Sequence, residues 1–216
     1  MQSVNPVDET LPPAERLVHV DDHLLVWDKP SGLHTVPTKP PGTADCLEGR
    51  AKAAWPGALL VHRLDRDTSG IVVMARTRLA QRHLGWQFER RQVAKVYVAR
   101  VSGEVAGDAG RIELPLICDW PNRPRQMVCH ERGKAAVTDW QVIGREAGTT
   151  RIALRPLTGR SHQLRVHLAA LGHPILGDPL YGDAGAAARM ALHALAIGFR
   201  HPDGGAAVRF AAALPF

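Results

Sequence analysis

The 216-residue chain is long enough for one substantial domain, or for one sheet with two lobes, and its 45% hydrophobic content excludes a disordered chain. Lysine and arginine total 27 against 21 acidic residues, a formal net charge of +6 that favours an anionic partner. No apolar run approaches the roughly 20 residues of a membrane span, and the start of the chain is polar and acidic, unlike a signal peptide. We therefore expect a cytoplasmic protein without membrane contact.

The cysteines and histidines do not predict a metal site. Cys46, Cys118 and Cys129 are widely spaced and form no Cys-x-x-Cys pair, which argues against a disulfide framework and against structural zinc. His162 and His167 are five residues apart rather than the four of a zinc-binding helix face, so we expect them to pack or to form hydrogen bonds. No nucleotide-binding motif is present either, and no cofactor is expected.

The first third of the chain predicts a hairpin, a loop and a helix. Residues 1–16 are rich in proline and are expected to form a flexible lead-in. The apolar segments 17–20 and 24–27 flank a polar turn and predict a β-hairpin. Residues 34–45 predict a loop because they are rich in proline, threonine and glycine, and 46–54 predict a short helix.

Charged residues precede the strongest strand pattern in the chain. Ile71–Ala75 is a run of apolar, mostly β-branched residues and predicts a short, fully buried strand. The nine residues before it, His62–Gly70, hold two acids and two arginines and end in a Thr-Ser-Gly turn. A carboxylate there would lie at a rigid strand end beside cations, where a nucleophile or base is useful. A solvated loop is the alternative on these residues alone.

Two other catalytic motifs fit this segment poorly. A protein-kinase loop requires His-Arg-Asp, but Leu64 separates Arg63 from Asp65, and the kinase glycine-rich and Asp-Phe-Gly elements are absent. A phosphotransferase of the Asp-x-Asp-x-Thr type requires threonine two places after its second aspartate. Thr68 follows Asp67 directly, so this second function is also disfavoured.

The middle of the chain predicts one helix and one strand. Thr77 is a suitable N-cap, and Ala80, Leu84 and Phe88 recur at four-residue spacing, which predicts a helix with a core-facing stripe. Lys95–Val101 predicts a strand. Prolines at 115, 121 and 124 exclude a long regular element further on. The ring of Trp120 and the cations Arg123 and Arg125 there suit either an ordered surface loop or an RNA-contacting loop.

The last third predicts two strand pairs. Segments 135–143 and 149–155 alternate in polarity and predict antiparallel strands, and 191–199 with 207–212 predict a closing hairpin.

A helix between these pairs has clear end signals. Ser161 is a plausible N-cap, and Gly172 suits the C-terminal stop. Leu164, Leu168 and Leu171 are expected to form its buried stripe.

The His62–Gly70 segment reads His-Arg-Leu-Asp, two variable positions, then Thr-Ser-Gly, and it resembles the active-site motif of RNA pseudouridine synthases of the RluA family. Lys29–Gly32 and Thr158–His167 resemble that family's first and third motifs, in the family's order, and the resemblance covers about residues 18–214. It implies an α+β fold with a long mixed, mostly antiparallel sheet, flanking helices and a central cleft. The lysine-proline turn of the first motif would pack beneath the active site.

The resemblance also implies roles for residues that are distant in sequence. Asp65 would be the catalytic residue, Tyr97 would stack on the target uracil, and Arg165 would pair with Asp65 and keep it ionised. Leu164 would pack close to Tyr97 and the flipped base. Arg63 would fill the space that the uracil leaves in its stack.

The expected partners are RNA molecules. The loop at 114–126 resembles the loop of a family member that modifies both tRNA and 23S rRNA, so these are the expected substrates. The RNA-binding residues are expected to be Arg63, Leu164, His62, Trp120, Arg123, Arg125 and Arg160. We further expect a monomer with a single catalytic domain over 17–216, no S4-type basic helical domain and no cofactor.

A non-catalytic RNA-binding or ribosome-assembly protein on the same scaffold is the main alternative. Binding alone requires no carboxylate among phosphates. The presence of Asp65, Tyr97 and Arg165 together therefore favours an enzyme.

Overall fold

The computed structural model describes residues 16–38 and 45–216, and it places helices against a long sheet. No helix in these ranges is both long and apolar enough to cross a bilayer. The helices are α1 (Leu47–Ala54), α2 (Arg78–Glu89) and α3 (Gln163–Ala170), with a 3₁₀ turn at Ala184–Ala186. The strands are β1 (Arg16–Val20), β2 (Leu24–Lys29), β3 (Leu59–Leu60), β4 (Ser69–Ala75), β5 (Ala94–Ser102), β6 (Ala109–Glu113), β7 (Leu116–Cys118), β8 (Gln126–Val128), β9 (Val137–Glu146), β10 (Thr149–Pro156), β11 (Leu192–Arg200) and β12 (Ala207–Ala211).

The main sheet runs in the order β1-β2-β4-β11-β5-β10-β9-β6, with β3 on β4 and β12 on β11. Strands β4 and β11 pair in parallel, whereas the hairpins β1/β2, β9/β10 and β11/β12 are antiparallel. The predicted hairpins and the predicted α+β fold with a mixed, mostly antiparallel sheet are confirmed. The predicted lead-in lies outside the described residues apart from Arg16, and so do residues 39–44 of the predicted loop.

Strand β4 is buried along its whole length because helices cover both faces of the sheet at this point. Ile71 and Val73 pack in one cluster with α2, and Val72 and Met74 pack in another with α1. This two-sided burial explains why the strand shows no polar alternation. The expectation of a fully buried strand is confirmed.

Helix α2 follows the sequence signals closely. The Thr77 side chain accepts a hydrogen bond from the Ala80 N–H at 3.1 Å and caps the helix. Ala80 and Leu84 are buried, and Phe88 packs partly buried against the same cluster. The predicted core-facing stripe is therefore confirmed.

The start of α3 and one residue of its stripe differ from the sequence prediction, whereas Gly172, with a φ of 87°, ends the helix as predicted. Ser161 is not the N-cap: the helix begins after His162, whose backbone is left-handed (φ 53°) and whose side chain makes no capping bond. The turn is closed instead by Gln163, whose side-chain oxygen accepts the Arg160 N–H at 3.0 Å. Leu171 is not part of the buried stripe, because α3 ends at Ala170 and leaves Leu171 39% exposed.

The proline-rich stretch forms a separate two-stranded sheet of β7 and β8. Each of these strands has three residues, in agreement with the expectation that prolines exclude a longer element. Strand β6 has no counterpart in the prediction. Ile112 is the one buried residue of this strand, so its sequence lacks the alternation of apolar and polar residues that would predict a strand.

Candidate active site

A cavity of about 120 Å³ lies where the two halves of the sheet meet. Tyr97 on β5 marks this junction, since it packs against the cores on both sides. The cavity is lined by the approach to β4, by β5, by the turn after β10 and by the start of α3. The predicted site residues that line it are Arg63, Asp65, Tyr97, Arg160, Leu164 and Arg165.

The segment that carries Asp65 is held from below by the Lys29–Gly32 turn. Lys29 is fully buried, and its ammonium donates to the carbonyls of Pro30, Leu33 and Arg66 at 2.8–2.9 Å. The last of these carbonyls follows Asp65 directly. Burial lowers the pKa of Lys29 to about 7, against the opposing charges of two nearby aspartates. The lysine-proline turn therefore packs beneath the cavity, as the resemblance implied.

The glycine of the Thr-Ser-Gly turn is required for a steric reason. Gly70 has a φ of 109°, and a Cβ there would collide with the backbone of Ala194. Strand β4 approaches β11 closely at this residue, where the two strands pair in parallel. Glycine is required for this approach, which fixes the position of the turn after Asp65.

Arg165 connects two aspartates. Its Nη1 lies 3.5 Å from the Asp65 carboxylate, and its Nε and Nη2 donate to both oxygens of Asp178 at 2.7 and 2.6 Å. Arg165 is 3% exposed and Asp178 is fully buried, whereas the side chain of Asp65 is 25% exposed. Although burial acts to raise it, the bonds from Arg165 lower the pKa of Asp178 below its ordinary value. Asp178 thus holds the guanidinium, and Asp65 faces the cavity.

Tyr97 and Leu164 form the apolar part of the cavity wall. Both belong to the same packed cluster. Burial raises the pKa of Tyr97, and the charge of Asp65 raises it further, so the phenol stays neutral. A neutral ring beside an aliphatic side chain is suited to holding a planar base.

Two residues of this site were not predicted. Tyr181 accepts the Gln126 N–H at 2.6 Å, bonds His162 Nδ1 at 2.8 Å, and lies under the guanidinium of Arg165. Asp178 and Tyr181 lie in the loop after α3. The sequence did hold a signal for Asp178, because the acid lies in Gly-Asp-Pro directly after the apolar pair Ile-Leu. A buried acid needs a charged or hydrogen-bonding partner, so this position could have been identified as one side of an ion pair.

Comparison with known proteins places this chain in a family. A family model described as RNA pseudouridylate synthase matches residues 23–170, more than half of the chain. The chain belongs to the RNA pseudouridylate synthase family. The resemblance inferred from His62–Gly70 is therefore confirmed.

Similarity to other pseudouridine synthases extends over nearly the whole chain. The dual-specificity RNA pseudouridine synthase RluA of Yersinia pestis is 50% identical over 198 residues, covering 90% of this chain and 96% of that protein. RluA of Escherichia coli K12 is 46% identical over 220 residues, covering 100% and 99%. The solved structure of human RNA pseudouridylate synthase domain containing 1 superposes with a TM-score of 0.80 at 28% identity, covering 99% of this chain and 87% of the human chain.

The remaining predicted residues of this pseudouridine synthase lie outside the cavity lining. Trp120 is 64% exposed with Arg123 stacked 4.5 Å above its ring, and Arg125 lies 5.2 Å above the ring of Tyr181. Pro124 of the same loop lines a second hollow that also reaches Asp65. The loop between β7 and β8 thus borders the entrance on one side.

His62 does not line the cavity and makes contacts with β4 and α2. Its Nε2 accepts the Val73 N–H at 3.0 Å, and its ring stacks on Phe88. Burial lowers its pKa to about 3, and the Lys95 ammonium adds to this effect. These contacts anchor β4 to α2, and the expected RNA-binding role of His62 stays a prediction.

The buried histidines predict that the folded protein loses stability in weak acid. Burial lowers the pKa of His62 to about 3 and of His193 to about 4, from 6.5. Between pH 6.5 and about 4 the unfolded chain binds protons that the folded protein excludes, so the free energy of unfolding falls as pH falls, by up to about 1.4 kcal/mol per pH unit for each histidine. Urea unfolding across this range checks the result. His62→Gln, whose amide oxygen can accept the Val73 N–H, should show a shallower dependence of the free energy of unfolding on pH. An unchanged slope would contradict the lowered pKa of His62.

Proposed function

We propose that this pseudouridine synthase isomerises uridines in both tRNA and 23S rRNA, with Asp65 as the catalytic residue. The observation that supports it is that Asp65, Tyr97 and Arg165, far apart in the sequence, line one cavity. The relatives' printed name, dual-specificity RNA pseudouridine synthase, supports two classes of RNA. We infer a monomer that acts in the cytoplasm, with its catalytic domain over residues 17–216.

The reaction requires little more than one positioned carboxylate. The bond from ribose to N1 of uracil breaks, the base rotates, and a new bond forms through C5, so nothing is oxidised and no energy donor is needed. Asp65 acts in its charged form, as a nucleophile or as a base. The Arg165 guanidinium lies 3.5 Å from this carboxylate and fixes where it points. Because Asp178 holds Arg165, the arrangement exists before RNA binds.

The uridine has to leave its stack before Asp65 can reach it. Tyr97 and Leu164 receive the uracil in the cavity, while Arg63, exposed at the cavity edge, occupies the vacated position. The β7/β8 loop adds Trp120, Arg123 and Arg125 as a stacking ring and phosphate-binding groups. Arg160 supplies another cation on the cavity wall.

Replacing Arg63 tests base extrusion. Arg63→Ala should lower the single-turnover rate about 5- to 30-fold, because unstacking a base costs a few kcal/mol that the guanidinium partly offsets. The rate of pseudouridine formation on an unmodified RNA substrate under excess enzyme measures this loss. Arg66→Ala is the matched control, since Arg66 is exposed and pairs with Asp67 at 2.8 Å. Equal rates for the two variants would argue against extrusion by Arg63.

Substrate identity is tested by mapping pseudouridines in tRNA and rRNA from a deletion strain. We expect at least one position in each RNA class to lose the modification and to regain it when the wild-type gene is restored. Loss in only one class would contradict dual specificity. A non-catalytic role on the same scaffold predicts an unchanged pseudouridine map in the deletion strain. Neither the family nor the presence of Asp65, Tyr97 and Arg165 together favours that role.

A further inference from the structure

Lys95 is a cation without a partner at the edge of the active cavity. Its side chain extends from β5, two residues before Tyr97, and is only partly exposed. In the part of the chain that the structure describes, its ammonium has neither a hydrogen-bond acceptor nor a carboxylate within ion-pair distance. Burial lowers its pKa. A half-buried, unpaired ammonium is costly, and a bound anion would remove that cost.

A hollow of about 310 Å³ continues from the active cavity past Lys95. The two spaces share Lys95, Thr158 and Arg160 as walls. The hollow adds Arg91 and Glu89 from the end of α2, so three cations face one carboxylate. Arg91 has a left-handed backbone (φ 57°), a conformation that L-residues rarely adopt, at the turn from α2 into β5. The hollow therefore carries net positive charge toward α2.

Helix α2, whose C-terminal end lines the hollow, also carries an exposed cationic and aromatic face. Arg82, Trp86 and Arg90 are spaced by four residues, so they lie on one side of the helix. The ring of Trp86 is 51% exposed, and the two guanidinium carbons lie 5.8 and 5.9 Å from its centroid. Neither arginine has a carboxylate partner among residues 16–38 and 45–216. We call these three residues the α2 ladder.

We propose that the RNA strand on one side of the extruded uridine leaves the active cavity past Lys95, places a phosphate in the hollow and continues along the α2 ladder. This inference rests on the proposed function, because the cavity is taken to hold a uridine of RNA. The ladder spans about 12 Å, enough for three to four stacked nucleotides at about 3.4 Å each. Trp86 stacks on a base, and the arginines bind phosphates.

The charge and the continuity with the cavity favour RNA over other occupants. Three cations line the hollow, two more flank Trp86, and the last residue of the α2 ladder, Arg90, stands in the chain between Glu89 and Arg91, which line the hollow. The β7/β8 loop lies at the other side of the cavity, where its Pro124 lines the second hollow together with His162 and Asp65. RNA bound through both would be held on either side of its target uridine.

Binding measurements in the Asp65→Asn background test the α2 ladder without turnover. The probe is a labelled transcript of an RNA that the mapping experiment identifies as a substrate. Arg82→Glu and Trp86→Ala should each weaken binding roughly tenfold. The controls are Arg209→Glu, an exposed arginine on β12, and Ile143→Ala, 50% exposed on β9. Affinities of the ladder variants equal to those of their controls would overturn this part of the proposal.

Lys95 is tested by the dependence of affinity on salt. Lys95→Met should weaken binding about tenfold and reduce the slope of log Kd against log salt concentration by about 0.7, the value for one lost contact to a single strand. Lys95→Arg should restore both. A purely structural role would lower the melting temperature and leave the slope unchanged, and that outcome would overturn the phosphate assignment. If the wild-type enzyme forms pseudouridine while these variants bind RNA normally, the proposed strand path is wrong and the proposed function stands. If the deletion strain shows an unchanged pseudouridine map, the proposed function itself is wrong.

Discussion

Asp65→Asn should reduce pseudouridine formation by at least about 10⁴-fold, the scale of loss when a catalytic nucleophile or base is removed. The amide has the shape of the carboxylate but carries no charge, so it can neither attack nor accept a proton. It also removes the ion pair with Arg165 at 3.5 Å. Because the side chain is 25% exposed and Asp178 still holds Arg165, the fold should survive.

Product formation on an unmodified transcript, followed by mass spectrometry, measures this loss. RNA affinity should stay within about twofold, since the substitution removes a negative charge that faces a polyanion. Asp67→Asn is the control, because that carboxylate pairs with Arg66 at 2.8 Å and does not line the active cavity. The mass of the Asp65→Asn protein should be checked for deamidation, which would restore aspartate. Full activity in an intact Asp65→Asn protein would remove the basis of the mechanism.

Asp178→Asn should destabilise the protein by about 3–5 kcal/mol and reduce kcat by about 10²-fold. The first effect follows because the substitution removes the closer and fully buried charged partner of the Arg165 guanidinium, which is 3% exposed, and leaves only Asp65 at 3.5 Å. The second follows because an amide offers one acceptor oxygen, so Arg165 keeps at most one of the two bonds of 2.7 and 2.6 Å that set its direction toward Asp65. A displacement of about 1 Å in a catalytic group can cost about 10²-fold in rate.

Urea unfolding and single-turnover kinetics, run well below the variant's melting temperature, separate these two effects. The pKa of Asp178 is lowered, so the pair contributes stability above the ordinary value near 3.8, and this contribution is lost as pH falls through the lowered pKa. Wild type and Asp178→Asn should therefore converge in stability in strong acid. Arg165→Met combined with Asp178→Leu should cost less stability than Asp178→Asn alone. Normal kcat in a folded Asp178→Asn protein would show that Asp178 only stabilises the fold.

Periodic patterns in the sequence predicted most of the regular elements. Ile71–Ala75 predicted a buried strand, and Thr77 with the stripe of Ala80 and Leu84 predicted α2, because these signals depend on neighbouring residues alone. Ser161 was wrong as the N-cap of α3, and Leu171 was wrong as a member of its buried stripe. There the fold overrode the local signals, since Gln163 closes the turn through contacts with Thr138 and Val137 on another strand.

The reaction class could be predicted from the chain itself, because the nine-residue motif and its two companion motifs have distinctive residue types and spacing. The roles of Asp65, Tyr97 and Arg165 stay predictions, and the structure places all three at one cavity. The contacts of Arg165 with Asp178 and Tyr181 could not be predicted from the sequence. Asp178 and Tyr181 reach Arg165 through the packing of the loop after α3, and Lys95 on β5 shares the neighbouring hollow with Arg91, which follows α2. Contacts between residues far apart in sequence depend on how the strands are ordered and registered in the sheet, and no local pattern carries that information.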